Sequence, residues 1–278
     1  MIKRGNSKGQ VTLFIVIAIV IVAVAALAVI FWPSISSLFM SQQQAQDYLS
    51  SQSANLKNAV SDCVQTTSED GFSIMSLQAG YYDTTGLKTL SYVGNDYIIV
   101  MYKDSAKNRI NKLPSLGQIE NEYKAFLDAE GNDAIDSCLN NLASFKRNMD
   151  IELGEKNITA SIYYDTIVIN VDWPMTLSKS VATGKATKQI NQDKATLLIP
   201  LGYMWQTANK VTDCETRQDC KYEGINWDKD AWDNPYRLQY ITRDARSLNE
   251  NQIAFMLTST PYRTGEQEYK FNFGIDRT

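Results

Sequence analysis

Between Gln10 and Gln46 the chain carries no charged residue, and within that stretch Val11–Trp32 (VTLFIVIAIVIVAVAALAVIFW) holds one polar side chain, Thr12. At 1.5 Å rise per residue a helix of this length spans roughly 30 Å, the thickness of a bilayer's hydrocarbon core. A buried helix of a water-soluble core would need an apolar environment all around it. The sequence therefore predicts a transmembrane helix over 10–33. Trp32 and Pro33 mark its outer boundary, where an amphipathic indole suits the headgroup layer.

Lys3, Arg4 and Lys8 precede the run without an acid to offset them, and the first acid, Asp47, lies beyond it. The positive-inside rule places the basic leader 1–9 in the cytoplasm and the chain after about 33 outside, on the cell surface. Of 27 basic residues, removing those 3 leaves 24 against 31 acidic ones, a formal charge of −7 on the exterior part. Such a balance disfavours nucleic acid as a partner. The small-residue run Ala23–Ala28 imitates a leader-peptidase site, but apolar residues continue past it and the run exceeds a signal h-region. An anchor is the better reading.

With 278 residues, 44% hydrophobic and 21% charged, the chain can bury a core and hold an anchor plus one medium or two small domains. Ile35, Leu38, Phe39, Ala45, Leu49, Leu56, Val60 and Cys63 recur mostly at three or four residues, so a stalk helix is expected over 34–68. Its uncharged polar middle, Ser41–Gln46 and Ser50–Ser53, equally suits a flexible tether. A second helical region is expected over 115–148, broken at Gly131-Asn132. There Ile135, Cys138, Leu139, Leu142 and Phe145 share one stripe.

Strands are expected at Tyr97–Lys103, at a hairpin of Asn157–Tyr164 and Thr166–Trp173, and at Thr187–Ile190, Arg237–Ile241, Gln252–Ser259 and Glu268–Phe273. Pro200–Lys210 reads as a short helix. The expected fold class is α+β: a membrane helix, its stalk, and a helix plus antiparallel-sheet domain over 69–210. Residues 211–278 form a C-terminal lobe or continue the same domain.

No histidine occurs anywhere, which removes Ser–His and Cys–His nucleophile pairs and His-ligated zinc. Walker, GxGxxG and GxSxG motifs are absent too. Four cysteines, all outside by this topology, suit disulfides better than a thiolate zinc site, since Cys63 and Cys138 belong to no CxxC. Joining the two apolar helix stripes predicts Cys63–Cys138, and proximity predicts Cys214–Cys220.

Asn226, Asp228, Asp230 and Asp233 place oxygens at alternating positions, as calcium loops do, making calcium the one candidate cofactor. Ala231 stands where the sharp turn wants Gly, and Arg237 where the bidentate Glu belongs, so a solvated acidic loop is favoured. Tyr222, Trp227, Trp232 and Tyr236 nearby could stack on a sugar or a partner's surface, or simply pin the loop to the core. Asn157-Ile158-Thr159 is the lone N-glycosylation triplet. No particular carboxylate pair points to a glycosidase.

Ser7-Lys8-Gly9-Gln10-Val11-Thr12-Leu13-Phe14, followed by an unbroken apolar helix, resembles the class III signal of archaeal type IV prepilins and related surface proteins. The resemblance covers about thirty residues and implies cleavage between Gly9 and Gln10. Beyond it, the Cys-bearing helix near the membrane and the strand Val168–Pro174 resemble uncharacterised archaeal membrane-anchored exported proteins, and imply no activity. The expected function is a single-pass membrane-anchored surface protein, not an enzyme. Its exterior domain is structural, adhesive or binding, with the bilayer, further copies of itself, and envelope glycans or surface proteins as partners. The alternative is a pilin-like filament subunit processed after Gly9. A membrane-tethered enzyme acting on envelope glycans ranks third.

Overall fold

The structure, a computed structural model, describes residues 16–27, 40–92, 94–181, 184–217, 241–249, 251–259 and 268–278. The fold is α+β, and the chain divides into two compact units. One comprises Met1–Asn55, Ala143–Leu153 and Met175–Ile190; the other comprises Leu56–Leu142, Gly154–Pro174 and Asn191–Thr278.

Helix α1 covers residues 16–27. Helix α2, Gln42–Leu77, contributes its first part to one unit and the remainder to the other. The uncharged polar run at its start is helix and not a tether, because Ser41 and Gln44 form a reciprocal cap. The Ser41 hydroxyl accepts from the Gln44 N–H at 3.2 Å, and the Gln44 side chain accepts from the Ser41 N–H at 2.9 Å. Ala45, Leu49, Leu56, Val60 and Cys63 are all buried, and the stripe continues through Val64, Phe72 and Met75. The helix thus outruns its expected end at 68. It stops where Ala79 and Gly80 turn left-handed (φ 58° and 96°) and the Gly80 N–H reaches back to the Met75 carbonyl at 2.8 Å.

In the first unit β4 (Asp150–Leu153) pairs antiparallel with the later half of β6 (Ile167–Val181), Asp150 opposite Ser178. Ala45, Leu49, Met149, Met175, Leu177, Val181, Ala186 and Ile190 are its buried apolar residues among those described. Lys179 lies 4.9 Å above the Tyr48 ring and donates to the Asn148 carbonyl at 2.7 Å.

The second unit holds a mixed sheet in the order β1-β2-β10-β9-β8, with β3 also on β2. Its strands are β1 (Thr89–Tyr92), β2 (Asn95–Lys103), β3 (Arg109–Asn111), β8 (Ile241–Asn249), β9 (Gln252–Ser259) and β10 (Tyr269–Asp276). The expectation of a purely antiparallel sheet fails at one place: β10 runs parallel to β2, Gly274 opposite Ile99. Tyr97–Met101 and Phe271–Ile275 are each five consecutive buried residues, as strands covered on both faces require. Phe255 and Phe273 sit directly opposite and stack at 4.9 Å.

β5 (Asn157–Ile162) pairs antiparallel with the first half of β6, and β7 (Gly184–Leu197) also pairs with β6. The hairpin reading holds for Ile167, Ile169 and Val171, which are buried and alternate with the more exposed Val168, Asn170 and Asp172. β6 does not end before Pro174. The Gly154 N–H donates to the Pro174 carbonyl at 2.7 Å, and the register slips by one residue across Gly154–Lys156, so the missing proline donor faces a bulge.

The helical region after Ser115 is α3 (Leu116–Phe126), a π turn (Leu127–Gly131), α4 (Asn132–Cys138), a short turn (Asn140–Leu142) and α5 (Ala143–Lys146). The expected break at Gly131-Asn132 is only the end of the π turn. The chain breaks instead at Asn140, Asn141 and Leu142, all left-handed (φ 48°, 50° and 62°), where two asparagines best tolerate that conformation. Helix α6, Leu201–Arg217, is longer than expected and packs on β10 and β3.

Candidate functional site

The anchor, processing and loop candidates fall largely outside the described residues: Gly9 and Gln10, the calcium candidates Asn226, Asp228, Asp230 and Asp233, the aromatics Tyr222, Trp227, Trp232 and Tyr236, and Cys220. Among the described residues no helix is long and apolar enough to cross a membrane. Residues 10–15 and 28–33 of the expected span lie outside them. The described piece, α1, is helical with every side chain exposed, Val22 at 68% and Ile19 at 63%.

Cys63 on α2 and Cys138 at the end of α4 are joined, with Cα atoms 5.8 Å apart. One half of the expectation needs correcting. Cys63 is buried, as are Ile135, Leu139 and Leu142, but Cys138 is exposed and Phe145 only half-buried. The inward face of α4 passes through Ile135 and Leu139, and Cys138 reaches α2 from its flank. Cys214 on α6 is also disulfide-bonded.

Around the bridge, Tyr123 stacks on Phe72 at 4.6 Å, and its hydroxyl meets that of Ser68 at 2.6 Å. Burial pushes the Tyr123 phenol up to about 12, against the smaller opposing effect of that hydrogen bond. Gly71 and Gly131 make room for the Phe126 ring, which a Cβ on either would meet within 3 Å. Lys156 donates to Asp136 at 2.8 Å and to the Asn132 carbonyl at 3.3 Å, and lies 4.7 Å over the Trp173 ring. It thereby ties the β4–β5 bulge to α4.

Three other carboxylates, those of Glu122, Glu120 and Asp104, accept from backbone N–H groups. Glu122 accepts from the N–H groups of Tyr82 and Asp83 at 2.9 and 3.1 Å, and Glu120 accepts from that of Ile162 at 2.8 Å. Asp104 accepts from the N–H groups of Asn108 and Ala106, which hold its carboxyl below the usual range. Glu215 on α6 pairs with Arg277, whose carbonyl accepts from Lys103 Nζ at 2.7 Å and whose N–H donates to the Asn251 carbonyl at 2.7 Å. Among the described residues no group of three metal-ligating side chains is gathered. These acids brace loops and strand ends.

No family model, curated protein or solved structure matches this chain. Its function must be argued from its own residues.

Asn157 opens β5 and is exposed, as is Thr159, while Ile158 between them is buried. The bracing residues Glu120, Glu122, Lys156, Glu215 and Arg277 escaped sequence reasoning. Glu215 alone left a signal, since it stands four residues after the buried Val211 on a helix face that carries no other charge.

Proposed function

We propose that this chain is a single-pass membrane-anchored surface protein, with the N-terminus in the cytoplasm and the cystine-bearing units outside in a structural, adhesive or binding role. The observation that carries this reading is α1, a helix of aliphatic residues from which no side chain is buried. Apolar surface exposed all round a helix is costly in water and costs nothing in hydrocarbon. The cations at Lys3, Arg4 and Lys8 orient it, and the Cys63–Cys138 bridge suits an oxidising exterior. In native membranes the protein should stay in the pellet through an alkaline carbonate wash, and protease added to intact cells should degrade the residues after 40. Release by carbonate would defeat the proposal.

The same exposed α1 admits a second reading, in which the helix packs against copies of itself as a filament core after cleavage behind Gly9. Uncut leader charges cannot enter an apolar core, since burying unpaired charge costs several kcal/mol each. Gly9→Val should then abolish filaments while leaving the membrane anchor in place. Filaments built from uncut Gly9→Val protein would eliminate the pilin-like reading, and a mature chain that begins before Gln10 would make it unnecessary.

A further inference from the structure

We infer that Asn157 is a glycan attachment site, modified by transfer from a lipid-linked oligosaccharide; this rests on the outer-side placement proposed above. The triplet Asn157-Ile158-Thr159 is the lone N-x-S/T sequence in the chain. A bare triplet is common by chance, and its surroundings in the fold make the difference here.

Extended backbone sends alternate side chains to opposite faces, so Asn157 and Thr159 emerge together while Ile158 turns inward and is buried. The antiparallel register puts Asp172 opposite Asn157, Asn170 opposite Thr159 and Val168 opposite Ser161. That face of the β5–β6 ribbon therefore carries only short side chains, none of them cationic or aromatic. The other face, with Ile158, Ala160, Ile162, Ile167, Ile169 and Val171, is buried. Asn108, Asn111 and Asn209 donate their amides to Asp104, Thr212 and Asp213, whereas the Asn157 amide and the Thr159 hydroxyl have no hydrogen-bond partner among the described residues. Among the described residues, a sugar chain on Asn157 Nδ2 breaks no hydrogen bond, and the strand opposite it presents only Asp172, Asn170 and Val168 on that face.

The transfer balances simply. Asn157 Nδ2 bonds to the anomeric carbon of the donor, the bond from that carbon to the lipid phosphate oxygen breaks, and the phosphate leaves with the electron pair. The proton lost from Nδ2 passes to a base of the transferase. The step acts on the chain before β5 pairs with β6, and the folded strand then presents the product outward.

The test uses full-length protein from its native membranes, digested with trypsin after reduction. Cleavage after Lys156 and Lys179 yields the peptide 157–179. The expected result is that most copies of this peptide carry a sugar mass on Asn157. Asn157→Gln and Thr159→Ala should both abolish it and Thr159→Ser retain it, with the Cys63–Cys138 bridge and the melting temperature unchanged in all three. Protease treatment of intact cells is run in parallel. A bare peptide from a domain that is degraded from outside overturns the glycan site alone. A bare peptide from a domain protected in intact cells overturns the outer-side reading, and the glycan site with it. A sugar mass retained in Thr159→Ala, or located on another residue, also overturns the assignment.

Discussion

Glu215 stands four residues after Val211 on the buried face of α6, and its side chain is only 4% exposed. Arg277 meets that carboxylate and offsets the cost of burying it. Removing one partner of a fully buried pair costs about 3–5 kcal/mol, but Arg277 is about a third exposed, so Glu215→Ala should cost nearer 2 kcal/mol by urea denaturation. Arg109 presents the opposite case: its Nε and Nη1 are buried without an acceptor among the described residues. Arg109→Met should therefore leave stability unchanged or raise it, and a lower melting temperature would contradict that. Tyr123 sets an alkaline limit. Its phenol ionises near pH 10 when unfolded and at about 12 when folded, so burial of the neutral form stabilises fully below pH 10. That contribution is lost as pH rises to 12, to the extent of about 2–3 kcal/mol. Tyr123→Phe should flatten this limb in melting curves while costing about 1 kcal/mol at neutral pH for the lost Ser68 contact.

The first turn of α6 shows how closely two elements can approach. A Cβ on Gly202 would run into the Tyr163 carbonyl oxygen, against backbone that cannot yield, and the adjacent Tyr203 N–H donates to the Tyr164 carbonyl at 2.8 Å. Gly202→Ala should cost about 3 kcal/mol, whereas Gly117→Ala, with open space around it, should cost nothing measurable. The elements legible in the sequence were those whose pattern repeats: the α2 stripe, β9 with its bounds correct, and the alternation of β6. Short strands left too little pattern, as with β3 at Arg109–Asn111. The length of β6 was hidden because Pro174 normally ends a strand, and only the pairing partner's bulge shows why it does not. Ser41-Gln42-Gln43-Gln44 spells a cap that would have decided between helix and tether. Of the candidate site residues, the Cys63–Cys138 pairing was readable from helical spacing. The exposure of Cys138 was not, since neighbouring Leu139 takes the inward position.

Across the whole chain, the Cys63–Cys138 bridge links residues 75 apart in sequence. Reducing it should lower stability by about 4 kcal/mol in the chain-entropy model. Because Cys138 is the exposed partner, a small thiol should form its mixed disulfide there, releasing the buried Cys63 as the free thiol. Trapping and peptide mapping would contradict this if the adduct lay on Cys63. The parallel pairing of β2 with β10 has a consequence in time. β2 is complete at Lys103, but its neighbour begins at Tyr269. At ~5–20 residues per second, a ribosome takes on the order of 10–30 s to supply it. During that interval an apolar strand has one unsatisfied edge, open to a holding chaperone or to pairing with another chain until β10 is made.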